Sequence, residues 1–242
     1  MKKLKVIDDT GEGGQVTLDK AILLYGDGNK SVATIHEVSR TGKGAVILPG
    51  RGISLANLQD LVISLTTDKK SQFLPDNVLA CSFTRLVWWK PSCVRPIWFD
   101  TGDRKFTKRM SGAKVTHPAL LFRVTPHGFA AWALATDKRP NESTTVYRAP
   151  YYNVYDNGNM CAGNAAVPRL LMPSNTAKFE DAFFNSAFTH TNIAGNQLCA
   201  YPGGHNAFWM AMKGQGQNPR RKLIKTKWLV PFGENVGNII NK

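Results

Sequence analysis

Residues Tyr151–Cys161 read YYNVYDNGNMC, and the placement of three side chains within them decides how the rest of the chain is read. Asn153 stands eight positions before Cys161, Gly158 lies between them, and the apolar Met160 directly precedes the cysteine. A glycine inside so short a span permits a turn that a side chain would obstruct. By residue type, Asn153, Asn157 and Gly158 suit an ordinary turn with Cys161 a buried small residue, or a carboxamide and a thiol that share one loop. The thiol is a nucleophile near neutral pH, and the carboxamide is a neutral donor for an oxygen that gains charge. Together they suit acyl transfer through sulfur.

Upstream of this segment lie hydrophobic runs of strand type. Phe83–Trp89 and Val94–Phe99 are aromatic and β-branched, are separated by Lys90, Pro91 and Ser92, and read as paired strands. Ala119–Val124 and Phe129–Leu134 are two more, joined by the turn-like Thr125–Gly128. Trp88, Trp89, Trp98 and Trp132 are expected to pack in the core they form. Residues 137–174 hold polar turns with several Pro and Gly and little periodicity. A helix is expected to resume near Thr176, with Glu180 and Asp181 in its first turns and Phe179, Phe183, Ala187 and Phe188 on one face. Residues 191–242 are Gly/Asn-rich with a basic stretch and carry no clear periodicity.

At the other end, residues 1–14 are polar and Gly-rich, and strands are expected over 16–25, 31–39 and 44–48. Ser54 offers an N-cap to Leu55, Leu58, Leu61, Val62 and Leu65, whose spacing predicts an amphipathic helix over 54–65. The expected organisation is an N-terminal β extension over 1–50 and a main domain over 51–242 that ends in a basic segment. The fold class is α+β, an antiparallel sheet flanked by helices.

Composition narrows the function. The chain has 242 residues, 43% hydrophobic and 20% charged, enough to bury a sizeable core. The basic start is followed at once by acidic residues, which argues against a signal peptide, and no apolar run approaches the ~18 residues of a membrane span. A soluble, cytoplasmic protein is expected. Cys81, Cys93, Cys161 and Cys199 lie far apart with no C-x-x-C pair, which gives a zinc site no support. Cys81 and Cys93 fall in strand-like stretches and read as small core residues. The net charge of +14 points to an acidic partner, whether nucleic acid, an anionic surface or an acidic protein, with cations grouped at Arg104, Lys105, Lys108 and Arg109 and again at Arg220, Arg221, Lys222, Lys225 and Lys227, clusters that taken singly also suit solvated loops.

From Asn153 onward, NVYDNGNMC resembles in residue type and spacing the active-site segment of ubiquitin-conjugating enzymes, H-P-N-apolar-x-x-x-G-x-apolar-C. The stretches WWKP…RPIWF (Trp88–Phe99) and NGNMCAGNA around Cys161 are similar to a bacterial branch of that superfamily known as PRTRC system protein B. The resemblance implies a UBC-like fold and a ubiquitin-like protein carried as a thioester on Cys161, with Asn153 serving the thioester oxygen. It implies as partners a ThiF-type activating enzyme, the ubiquitin-like protein and a JAB-type peptidase that undoes the linkage. It implies no cofactor, since ATP is spent upstream. The family's His-Pro is replaced here by Tyr151 and Tyr152, of which a tyrosine fills the histidine's space and offers a hydroxyl. Candidates to assist are Asp156, the nearest acid in sequence, His205 in the turn-like GGHNAFW, Tyr152, and His190 as a rival to His205. Two other functions remain open at this point: a non-catalytic adaptor of the same fold that binds nucleic acid or acidic proteins, and a cysteine hydrolase pairing Cys161 with His190 or His205.

Overall fold

The structure is a computed structural model that describes residues 5–7, 13–15, 18–26, 31–41, 44–54, 73–161, 163, 165–168, 170–193, 198–214 and 224–242. The chain forms two compact units, residues 1–72 and 73–242. The helix expected over 54–65 falls, from residue 55 on, outside the described residues.

In the first unit, β1 (Lys5–Ile7) pairs with β2 (Gly13–Gln15). The long β4 (Ser31–Thr41) pairs with β3 (Lys20–Gly26), β5 (Gly44–Ile47) and β6 (Arg51–Gly52), all antiparallel. The expected strands at 31–39 and 44–48 are present, and the one expected from Val16 starts at Lys20 among the described residues. Among the described residues of this unit His36 is the buried polar one, held by Thr34 Oγ1 at 2.7 Å and the Leu48 carbonyl at 2.8 Å.

The second unit is built on a six-stranded antiparallel sheet. Its strands in chain order are β7 (Val78–Ser82), β8 (Arg85–Lys90), β11 (Ala119–Thr125), β12 (Gly128–Leu134), β13 (Thr145–Arg148) and β15 (Pro231–Asn235), and they lie side by side in that order. A smaller sheet holds β9 (Cys93–Phe99) between β10 (Ala113–His117), antiparallel, and β14 (Ala187–Phe188), parallel. The helices are α1 (Arg104–Met110), α2 (Thr176–Phe184), α3 (Gly204–Met212) and α4 (Val236–Asn241).

The period-two alternation of strands explains why both faces of the large sheet are covered. Leu120, Phe122, Phe129 and Ala131 pack on one side with Trp88 and the helix α2 residues Phe179 and Phe183. Leu121, Ala130 and Trp132 pack on the other with Val236 and Ile239 of helix α4. The first side is rich in aromatic rings. Phe179 meets the Phe129 ring at 5.7 Å, and Phe183 meets Phe122 at 5.3 Å, edge to face, the geometry that ring quadrupoles favour. Helix α2 is also tied by charge: Glu180, almost fully buried, accepts from Lys90 Nζ at 2.5 Å and Trp88 Nε1 at 3.2 Å.

Several expectations are corrected. Phe83–Trp89 and Val94–Phe99 are not paired with each other: β8 pairs with β7 and β11, while β9 belongs to the smaller sheet. Lys90-Pro91-Ser92 carries the chain from one sheet to the other, and Pro91 cannot donate to a ladder. Trp98 is not core but 42% exposed, and Cys81 is exposed near the end of β7. Ala187 and Phe188 do not extend helix α2 but form β14. GGHNAFW is not a turn: Gly203, at φ 84°, precedes helix α3, and His205 lies in the helix's first turn.

Candidate active site

Residues Asn153–Cys161 form a miniature hairpin. The Cys161 amide donates to the Asn153 carbonyl at 2.7 Å, Val154 bridges Met160, and the Tyr155 amide donates to the Asn159 carbonyl at 2.8 Å. The Gly158 amide closes the turn on the Tyr155 carbonyl at 3.0 Å. The hairpin docks on β12, whose first half β13 leaves unpaired: Met160 N donates to Phe129 O at 2.7 Å, and Ala131 N to Gly158 O at 2.9 Å. Alternation then sorts the side chains. Val154 and Met160 point into the core, while Asn153, Tyr155 and Cys161 belong to the opposite face.

Gly158 is fixed at its position twice over. Its φ is 87°, and a Cβ there would come within 2.4 Å of the Trp132 ring. Among the described residues Asn153 is the non-glycine residue at positive φ, 62°. Asparagine tolerates that region because its short amide can bond nearby backbone, and here the amide is anchored. Its Oδ1 accepts from Thr189 N at 3.1 Å and Thr189 Oγ1 at 2.8 Å, and its Nδ2 donates to the Ala187 carbonyl at 2.9 Å. The backbone NH of Thr189 must face an oxygen, which settles the orientation of the amide. One N–H of Nδ2 is left over.

Asn153 and Cys161 both line a cleft of about 1060 Å³, with Asp100, Lys178, Asp181 and His190 in its walls. Asp181 is held by Arg95 Nη2 at 2.7 Å, and Asp100 lies 3.4 Å from Arg104 Nη1. His190 Nδ1 meets Thr189 Oγ1 at 2.8 Å. The Thr189 hydroxyl has one proton, and it goes to Asn153 Oδ1. Both bonds therefore coexist only when His190 Nδ1 carries hydrogen, and in the neutral ring the lone pair is then on Nε2. The Tyr155 phenol hydrogen-bonds with Cys161, which raises the tyrosine's pKa above its ordinary value, with the nearby sulfur charge adding to the shift.

The remaining expected helpers stand elsewhere. Asp156 is exposed at the hairpin tip and does not line the cleft. Tyr152 donates to Asn206 Oδ1 at 3.2 Å and stacks on the His205 ring at 3.9 Å. His205 Nε2 donates to the Pro150 carbonyl at 3.1 Å, and burial pulls the ring's pKa down to about 4. Neither Tyr152 nor His205 lines the cleft; they brace the chain that leads into it. Tyr151 does the same from below. It is fully buried, and its hydroxyl donates to His117 Nδ1 at 2.8 Å while His117 Nε2 donates to the Arg95 carbonyl. The hydroxyl that replaces the family's histidine thus anchors the loop to β9 and β10. Thr189, Asp100, Asp181 and Lys178 escaped sequence reasoning, because no local spacing links them to Cys161.

An antiparallel sheet packed on helices, with an Asn–Gly–Cys hairpin on the half of β12 that β13 leaves unpaired, fits an E2-like protein, the class that includes the ubiquitin-conjugating enzymes. Residues 56–231 match prokaryotic E2 family D, and the chain belongs to that family. No curated protein and no solved structure matches the chain. No helix among the described residues is long and apolar enough to cross a membrane, and no group of His, Cys, Asp and Glu among them is arranged to hold a metal ion.

Proposed function

We propose that the protein accepts the C-terminal carboxyl of a ubiquitin-like protein from an activating enzyme, holds it as a thioester on Cys161 and passes it to an amine. The sulfur of Cys161 attacks the carbonyl carried by the activating enzyme. A new S–C bond forms, and the activating enzyme's thiolate leaves. An amine then attacks the same carbon, and Cys161 leaves as thiolate. The two thioesters are similar in energy, so the first step needs no cofactor.

One observation carries this reading. Asn153 and Cys161 are joined by a backbone hydrogen bond and open into the same cleft, with the carboxamide held by Thr189 and Ala187. The unspent N–H of Asn153 is the donor for the oxygen that gains charge, a contribution of roughly 3–4 kcal/mol at comparable oxyanion sites. The attacking amine must lose a proton, and Nε2 of His190 is the acceptor the cleft offers. Asp181, already bound to Arg95, is the poorer base. Asp156, His205 and Tyr152 have no direct role here.

The WWKP…RPIWF and NGNMCAGNA stretches support a finer placement in the PRTRC system. Its ThiF-type activating enzyme, ubiquitin-like protein and JAB-type peptidase are then the partners, in the cytoplasm. The test is to mix the chain with the ubiquitin-like partner and its charged activating enzyme. A thiol-reducible adduct on Cys161, absent in Cys161→Ala, is the expected result. A charged activating enzyme with no adduct on this chain overturns the proposal. His190 also supports a second reading, a cysteine hydrolase. Fast alkylation of Cys161 at neutral pH that collapses in His190→Ala would favour it.

A further inference from the structure

Helix α1 is an inserted element between β9 and β10, and Arg104 in its first turn stands beside Asp100 in the wall of the cleft. Asp103 caps it by accepting from the Phe106 amide at 3.0 Å, and Phe106 and Met110 anchor it in the core. Everything else it shows outward is cationic or small. Arg104, Lys105, Lys108 and Arg109 are exposed within seven residues. Lys213, at the end of helix α3, donates to the Arg109 carbonyl at 2.9 Å, and its backbone bridges Val115 of β10. Lys114, the neighbour of Val115, is exposed as well. Helix α1 and the two elements beside it, β10 and helix α3, therefore expose six cations. The two acids at its edge are engaged, Asp103 as the cap and Asp100 beside Arg104. Among the described residues Lys105, Lys108, Arg109 and Lys114 have no ion-pair partner.

We propose that the surface formed by Arg104, Lys105, Lys108, Arg109, Lys114 and Lys213 binds the phosphate backbone of duplex DNA. A protein partner fits it less well. Protein interfaces have cores poor in lysine and built on apolar or aromatic anchors. Here the apolar residues of the helix, Phe106 and Met110, are turned inward. Interfaces with DNA are polar, strongly positive and dominated by contacts to phosphate. Long, unpaired Lys and Arg side chains on a rigid helix meet that requirement without base-specific geometry, so the binding is indifferent to sequence. This function is separate from the cleft and stands or falls without it.

The test uses the full chain and a short fluorescein-labelled duplex of mixed sequence, with anisotropy followed across a salt series. The logarithm of affinity is expected to fall linearly with the logarithm of salt concentration, with a slope of about −0.9 per neutralised phosphate. The variant Lys105→Gln/Lys108→Gln/Arg109→Gln keeps Asp103, Phe106 and Met110. It should bind about tenfold or more weakly at low salt and lose roughly 2–3 from the slope. A matching thermal melt and an unchanged alkylation rate at Cys161 show that the variant is folded. The proposal is overturned if the wild-type chain does not bind at low salt, if the variant keeps both affinity and slope, or if polyglutamate competes as well as unlabelled duplex. The last result would give the surface to an acidic protein.

Discussion

Asn153 and Cys161 are directly joined: the cysteine's amide donates to the asparagine's carbonyl at 2.7 Å, so the two ends of an eight-residue excursion meet as a strand pair. The distance between carboxamide and thiol is therefore set by backbone geometry. Whatever disturbs the turn between them disturbs the site.

Gly158 is the turn residue most sensitive to change. A methyl group there enters the Trp132 ring, at 2.4 Å, and forces a positive φ on a residue with a Cβ. Gly158→Ala should cost about 2–4 kcal/mol, combining overpacking with backbone strain. A urea titration followed by tryptophan fluorescence measures it. An unchanged midpoint would mean that the hairpin does not dock on Trp132 as described.

Asn153 has both a structural and a chemical task, and two variants separate them. Asn153→Ala removes the bonds to Ala187 and Thr189 and leaves alanine at φ 62°, a loss of about 2–3 kcal/mol in stability. It should also slow transfer to an amine by about 10²–10³. Thr189→Val keeps the carboxamide and removes one anchor, so transfer should fall only roughly tenfold. Equal losses in single-turnover transfer for both variants would assign Asn153 to loop anchoring alone.

Acid should destabilise the protein through its buried histidines. Burial lowers the pKa of His117 from 6.5 to about 3 and that of His205 from 6.5 to about 4. Both rings are neutral when folded but take up protons near pH 6.5 once unfolded. The unfolded chain therefore binds more protons between these values, and stability increases with pH across that window. The contribution is complete above about pH 6.5 and is lost as pH falls toward 4 and then 3. Urea midpoints measured from pH 7.5 down to 4 should decline. His117→Gln should flatten the slope, and an identical slope in that variant would contradict the buried neutral ring.

The sequence carried the hairpin well, because its signals are local. Asn153, Gly158 and Met160 each act through the nearest few residues. The strands over Ala119–Val124 and Phe129–Leu134 were legible for the same reason: alternation and a short turn. What failed was long-range. Nothing in Trp88–Phe99 shows that Pro91 moves the chain to another sheet, so β8 and β9 were paired wrongly. Trp98 looked like core by type, yet its side chain falls on the outer face of β9. Helix α1 did have a local signal, the cap Asp103 followed by Phe106 and Met110 four apart, which the charges around it obscured. Thr189 and Asp181 reach the cleft only because β14 and helix α2 fold back on it, a relationship no spacing records.

Tyr155 offers a direct probe of Cys161 that needs no partner protein. Its phenol and the thiol lie on one face of the hairpin as diagonal neighbours, a separation that an aromatic side chain spans. The hydrogen bond between them raises the tyrosine's pKa, as expected for a hydroxyl that donates to sulfur. Tyr155 is 43% exposed and stands outside the lining of the cleft, and from its diagonal position the ring is expected to cover one side of the sulfur. Tyr155→Phe keeps the ring and deletes the hydroxyl that contacts the sulfur. Alkylation of Cys161 by monobromobimane at pH 7.5 should slow by roughly two- to tenfold. Tyr155→Ala deletes donor and ring together. The exposed sulfur then gains access as it loses its donor, so that variant should react faster than Tyr155→Phe. If Tyr155→Phe reacts at the wild-type rate, the phenol does not bond the sulfur in solution. If Tyr155→Ala is no faster than Tyr155→Phe, the ring does not cover it.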